Sequence, residues 1–137
     1  MSTAQLPDSS IRVGIDLVSV ERFERLLADH GAPPDDIFTE QELRYCEGRR
    51  RRPERLAVRF AAKEAVLKTL GTGMTRGARW IDVEVVNMAS GRPTVQLHGE
   101  VAALAQRRGL RGLDVSLSHT HGFAIASVVS LWTSSTP

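Results

Sequence analysis

The chain's 137 residues suffice for one domain around one core and exclude two full domains. Its 42% hydrophobic and 25% charged residues are ordinary for a soluble globular protein, and no apolar run approaches the roughly 20 residues of a membrane span. The formal net charge is only +2, but Arg49, Arg50, Arg51 and Arg52 are consecutive, which favours an anionic partner over a uniformly mixed surface.

A single cysteine, Cys46, excludes an intrachain disulfide and a cysteine-based zinc site. The opening "MSTAQLPDSS" is polar and lacks an apolar signal core. A reducing, cytoplasmic setting is expected, with neither membrane nor nucleic acid as partner.

Ile11, Val13, Ile15 and Leu17 alternate with Arg12, Gly14 and Asp16, the pattern of a half-buried strand with Asp16 on the opposite face. A short helix follows, with Val20, Phe23, Leu26 and Leu27 as its apolar stripe, Ser19 as N-cap and Gly31 as stop. "GAPPDD" reads as a loop. Thr39 and Glu42 form a capping-box pattern, so a second helix starts near Glu40. The arginine run and Pro53 break it, and Pro53 opens a third helix that ends at Gly71.

After the glycine-rich "GTGMTRGAR", Ile81, Val83 and Val85 alternate with Asp82 and Glu84 as a second strand. "ASGRP" is a turn and "TVQLH" the returning strand of a hairpin. Glu100 to Arg108 form a helix closed by Gly109, and "DVSLSH" and "FAIASVVSL" are two last strands around "THG". The expected class is α+β with antiparallel pairing, a strand–helix–hairpin unit appearing twice.

The third helix carries the chemistry. At about 100° per residue, Leu56, Phe60 and Leu67 share a stripe, Glu64 lies roughly 40° from Phe60, and Lys68 roughly 40° further round. A plain i,i+4 ion pair between Glu64 and Lys68 would be worth about 0.2–0.5 kcal/mol. Yet Asp16 closes an apolar strand, and "SLSHTHGF" sets hydroxyls and histidines at the end of another. One aspartate, one glutamate, lysines and a histidine are the parts of a magnesium–phosphate site, in which Mg²⁺ takes one or two carboxylates and lysines neutralise phosphate charge. "GTGMTRG" lacks the lysine–hydroxyl ending of a Walker A loop, so a P-loop is rejected.

Four stretches, in this order, resemble the holo-[acyl-carrier-protein] synthases, the small trimeric type within the 4'-phosphopantetheinyl transferase superfamily. They are "VGIDLVSVERF" with Gly14, Asp16 and Arg22; "FTEQEL"; "RFAAKEAVLKTLGTG" with Arg59, Phe60, Lys63, Glu64, Lys68, Gly71 and Gly73; and "VSLSHTHGFAIASVV" with His119. The resemblance spans about Ile11 to Ser130 and implies one transferase domain over residues 11–130. Residues 1–10 would be an N-terminal extension and residues 131–137 a frayed tail. It implies transfer of 4'-phosphopantetheine from coenzyme A to a serine of apo acyl carrier protein, leaving adenosine 3',5'-bisphosphate, by a homotrimer with sites between subunits.

Carried onto this chain, the resemblance makes Asp16 and Glu64 the Mg²⁺ ligands and Asp16, Glu64 and Lys68 the catalytic set. Arg59, Lys63, Lys68, Gly71, Gly73, His119 and Thr120 would contact coenzyme A. The serine proton would pass to Glu64 or to a water on the metal. Arg22 and Arg25, i,i+3 neighbours on the first helix, would dock the acidic carrier. The extra N-terminal residues, the Arg49–Arg52 run and His121 depart from the family pattern. They leave open whether the acceptor serves fatty-acid, polyketide or peptide assembly. An RNA-binding module is the alternative from another class, and the few, scattered aromatics speak against it.

Overall fold

The computed structural model describes residues 11–29, 34–71 and 77–133. The fold is organised by one helix. Strand β1 (Ile11–Ser19) leads into α1 (Val20–Asp29), α2 (Pro34–Ile37), α3 (Glu40–Cys46) and the 19-residue α4 (Arg52–Leu70). A 3-10 turn at Trp80–Asp82 opens β2 (Val83–Asn87), followed by β3 (Pro93–Leu97), α5 (Gly99–Arg107), β4 (Leu110–Thr120) and β5 (Phe123–Trp132). The strands form a three-stranded sheet in the order β1-β5-β4 and a two-stranded sheet β2-β3, antiparallel throughout. The α+β class expected from the pattern is the class observed.

Local chemistry sets several of the boundaries. Ser19 Oγ accepts the Arg22 N–H at 3.3 Å at the start of α1. Both halves of the Thr39–Glu42 capping box are made. Pro53 lies in the first turn of α4, and Gly71 ends that helix in the left-handed region at φ 74°. The β4–β5 hairpin turns on His121 and Gly122, both at positive φ, which matches the right-handed twist of the strands.

Helix α4 is buried because its small residues admit close neighbours. A Cβ on Gly14 would stand 2.3 Å from the Ala65 carbonyl oxygen, so β1 crosses α4 where only glycine fits. One core lies between the C-terminal half of α4, β2, α5 and the inner face of the sheet, around Val66, Leu67, Leu70, Val101 and Val128. The other gathers Phe23, Phe38, Leu56 and Phe60 at the N-terminal half of α4. The rings of Phe23, Phe60 and Trp80 stack in series, with centroids 5.2 and 5.7 Å apart.

Five expectations are corrected. The apolar face of β1 points outward: Ile11, Val13, Ile15 and Leu17 are exposed, while Gly14, Asp16 and Val18 face α4. Alternation identifies two faces but not which one meets the helix, and the Gly14 contact decides it. The last three residues of the expected loop, Pro34–Asp36, belong instead to the helical turn Pro34–Ile37, which seats Ile37 in the core. Ile81 and Asp82 belong to a 3-10 turn, so β2 starts at Val83. The expected tail begins too early, because Leu131 and Trp132 are strand residues and Trp132 is buried beneath the Arg12 guanidinium. Lys63 is the fifth, and belongs with the site. Gly31, Gly73 and residues 1–10 and 134–137 lie outside the described residues.

Candidate active site

Between Leu56 and Leu70 every residue of α4 is buried except Glu64 and Lys68. These two, one turn apart, form a seam in an otherwise enclosed helix. Lys68 Nζ donates to Asp16 Oδ1 at 2.8 Å and to the Ile15 carbonyl at 3.0 Å, which ties the seam to β1. Glu64 Oε1 accepts the Trp80 indole N–H at 2.8 Å. Asp16 and Glu64 are therefore neighbours of one ammonium, the first by direct contact and the second by helical spacing.

The pair of carboxylates fits a hard cation. Asp16 Oδ1 and Glu64 Oε1 are the oxygens these contacts engage, so each ligand would act through its second oxygen. Two carboxylates suit Mg²⁺, which completes its octahedron with waters and phosphate oxygens. Beside the seam, a cavity of about 300 Å³ is lined by Leu17, Val18, Ser19, Arg22, Phe23, Leu26 and Phe60. Arg22 thus borders this cavity from α1. Arg25 is exposed on the same helix, and among the described residues neither arginine makes an ion pair.

A second, larger cavity of about 420 Å³ opens at the other edge of the sheet, lined by Tyr45, Arg55, Arg59, Asn87, Arg92 and His119 among others. The Arg59 guanidinium lies 4.6 Å over the Tyr45 ring and donates to Asn87 Oδ1. Its Nε is buried with no partner among the described residues. Arg49 stacks on the same ring at 4.1 Å, which brings the start of the arginine run to this cavity. Its cationic lining suits an anionic ligand. His119 shares the inward face of β4, whereas Thr120 is exposed on the outward side.

The expected site residues thus divide. Asp16, Glu64 and Lys68 gather at the β1 edge, Arg59 and His119 at the β4 edge, and β5 runs between them, which sets the edges roughly 10 Å apart. One chain does not bring the two groups together. Gly71 follows Lys68 by three residues as the cap of α4, with its N–H donating to the Lys68 carbonyl at 3.0 Å.

Lys63 is corrected outright. Its ammonium is fully buried, 2.7 Å from Glu42 Oε1, and donates to the carbonyls of Trp80, at 3.3 Å, and of Val83. Its direction round the helix points it into α3 and β2, away from either cavity. Burial pulls its pKa below the ordinary lysine value, against the pull of the Glu42 carboxylate. Sequence reasoning also passed over Trp80, Tyr45 and Asn87. An isolated tryptophan just after the glycine-rich connection was the one available signal, and it has no periodicity to reveal its partner.

The 4'-phosphopantetheinyl transferase superfamily model matches residues 12–127, and the chain belongs to that superfamily. More narrowly, it is 44% identical over 117 residues to the holo-[acyl-carrier-protein] synthase of Geobacter sulfurreducens, covering 85% of this chain and 93% of that protein. It is 48% identical over 120 residues to that of Salinispora arenicola, covering 88% and 97%. Among solved structures, the Chronobacterium ammoniagenes ACPS-CoA complex superposes with a TM-score of 0.82 at 30% identity, over 90% of this chain and 98% of that one. The Helicobacter pylori holo-[acyl-carrier-protein] synthase in complex with coenzyme A gives 0.74 at 28%, over 87% and 99%.

Proposed function

We propose that this chain is an enzyme that transfers 4'-phosphopantetheine from coenzyme A to a serine of apo acyl carrier protein. The serine Oγ attacks the β-phosphorus of the coenzyme's pyrophosphate. A phosphorus–oxygen bond forms to the serine, and the bond to the bridging oxygen breaks. Adenosine 3',5'-bisphosphate leaves, and the serine proton passes to a base. That base would be Glu64, half-buried at the seam, or a water held beside Asp16 and Glu64.

The observation that carries this reading is the seam itself: between Leu56 and Leu70, α4 is buried except at Glu64 and Lys68, and Lys68 meets Asp16 there. Phosphoryl transfer asks a protein for positioning and charge stabilisation. Lys68 supplies a fixed ammonium for phosphate oxygens. Asp16 and Glu64 would hold Mg²⁺, which when bound offsets charge on the pyrophosphate. Arg59 and His119 line a cationic cavity suited to the nucleotide end of coenzyme A, and Gly71 would let backbone approach it. Thr120, Gly73 and the exposed Arg22 and Arg25 complete the proposed contacts, the last two for the carrier.

Two observations support the proposed homotrimer. The outward face of β1 and β5 exposes Val13, Ile15, Leu17, Phe123, Val129 and Leu131, an apolar surface of the kind that subunits cover. The two halves of the candidate site also lie at opposite edges of the sheet, so a second copy can bring the His119 edge to the Asp16 edge. A cytoplasmic setting agrees with the single, buried Cys46. Among the described residues no helix is long and apolar enough to cross a membrane.

The test is mass spectrometry of apo carrier proteins from fatty-acid, polyketide and peptide assembly, incubated with coenzyme A and Mg²⁺. A gain of the phosphopantetheine mass on one of them is expected and identifies the acceptor. Hydrolysis of coenzyme A without any carrier, and no gain on any, would make the protein a hydrolase instead.

A further inference from the structure

We propose that Trp80 is a positioning residue for Glu64: its indole N–H holds one carboxylate oxygen so that the other is presented to a divalent cation. The inference rests on the reading of Glu64 as a metal ligand. Trp80 Nε1 donates to Glu64 Oε1 at 2.8 Å. The ring cannot turn freely, because it packs on Phe60 with centroids 5.7 Å apart, and Phe60 packs on Phe23 at 5.2 Å. The backbone is fixed as well, since Trp80 begins the 3-10 turn and its carbonyl accepts from Lys63 Nζ at 3.3 Å. Lys63 and Glu64 are adjacent, so consecutive residues of α4 grip the two ends of Trp80. Lys63, buried and remote from either cavity, acts on the site through this contact.

The chemistry of the donor matters. An indole N–H donates and never accepts, and it is neutral. It can therefore orient the carboxylate without cancelling the charge a cation needs, unlike the Lys68 ammonium at Asp16. A carboxylate with one oxygen committed binds a metal through the other. Hydrogen bonds of this kind to ligating groups are commonly worth about 10–100-fold in metal affinity. The competing role is packing alone, and Trp80→Phe separates the two, because it keeps the ring on Phe60 and removes the N–H.

The experiment uses Mn²⁺ as the probe, titrated into the full chain with and without coenzyme A and followed by electron paramagnetic resonance, with thermal melting alongside. W80F is expected to melt near the wild type and bind Mn²⁺ about tenfold or more weakly. E64Q should also bind weakly, and W80F/E64Q no more weakly than E64Q, because the two changes remove one function. W80F binding Mn²⁺ like the wild type, with E64Q weakened, overturns the positioning role. E64Q binding like the wild type, or a wild type that binds no Mn²⁺, overturns the ligand reading beneath it. Should W80F melt early, the wild type decides by nuclear magnetic resonance. On addition of Mg²⁺ the Trp80 indole proton must shift, while that of Trp132, bonded to Ser130 Oγ at 2.8 Å, stays as the control. A Trp80 proton that does not move refutes the proposal.

Discussion

Lys63 Nζ lies 2.7 Å from Glu42 Oε1, and neither side chain reaches solvent. Glu42 Oε2 accepts the Val85 N–H at 3.0 Å, and Oε1 also accepts the Thr39 N–H at 3.0 Å, so the pair joins α3, α4 and β2. Removing one partner strands a charge in the core. Lys63→Ala is expected to cost about 3–5 kcal/mol of stability. Lys68, whose side chain is 55% exposed, pairs at the surface, so Lys68→Ala should cost less than about 1 kcal/mol. Activity should rank them the other way per folded molecule, with Lys68→Ala losing coenzyme A affinity in calorimetric titration. Denaturant unfolding of both variants checks this, and a well-folded Lys63→Ala would contradict the network.

Gly14→Ala probes the crossing of β1 over α4. The new methyl meets the Ala65 carbonyl oxygen at 2.3 Å, a backbone atom that cannot swing aside as a side chain would. The strand must move, and Asp16, two residues on, moves with it away from Lys68. A loss of about 1–3 kcal/mol is expected, the usual cost of overpacking. A drop in activity well beyond the drop in folded fraction should accompany it. Urea melts and modification rates on the same preparation would show whether the two losses separate.

Glu84 gives the fold an acid-sensitive contact. Burial alone would raise its pKa, but the hydrogen bond from Thr39 Oγ1 at 2.6 Å and the contact with His98 at 2.9 Å, helped by the charges of His98 and Lys63, hold it below the ordinary 4.5. A depressed folded pKa means the stabilisation is full above about pH 4.5 and is lost as pH falls through the folded value. Thr39→Val removes one of those contacts along with the helix cap. Its melting temperature should lie below the wild type's at neutral pH, and the gap should narrow in acid. A gap of constant size across the titration would mean that the cap alone accounts for it.

The apolar outer face sets up a test of assembly. Val13 is 75% exposed, so Val13→Asp should leave the single chain folded. In an assembly that covers this face it would bury a charge. Light scattering should give three times 15.0 kDa for the wild type and a smaller species for the variant, with activity falling in step. A wild type of 15.0 kDa under active conditions would refute the trimer.

The parts of the site legible in the sequence were those set by local rules. The capping box of Thr39 and Glu42, Pro53 at the head of α4 and Gly71 at its end are short-range chemistry. The azimuths of Glu64 and Lys68 follow from one helical period. What stayed hidden depends on contacts distant in sequence. Nothing local says that Gly14 meets Ala65, and so which face of β1 is buried. Nor does helical spacing reveal that Lys63 is taken by Glu42, 21 residues earlier. The division of the site between two sheet edges depends on β5 entering between β1 and β4, which only the assembled topology fixes.

Acyl carrier proteins are small and acidic, so a docking face near the seam should be basic. Arg22 lines the cavity beside Glu64's neighbour Phe60, and both Arg22 and Arg25 are exposed on α1. The plain alternative is that these arginines only solvate the helix, with Arg25 transiently paired to Glu21 for about 0.2–1 kcal/mol. Salt separates the two. Docking through exposed opposite charges speeds encounter and fades as ionic strength rises. Arg22→Glu is expected to raise the Michaelis constant for the carrier more than about tenfold, over about 1.4 kcal/mol, while that for coenzyme A barely moves. Arg25→Glu should act in the same direction and less, because Arg25 does not border the cavity. The wild type should lose carrier affinity between low and high salt, and Arg22→Glu should lose proportionately less. Unchanged carrier kinetics in Arg22→Glu, together with a salt-independent wild type, would remove α1 from the docking surface and leave the Arg49–Arg52 run, which meets the other cavity through Tyr45, as the next basic face to test.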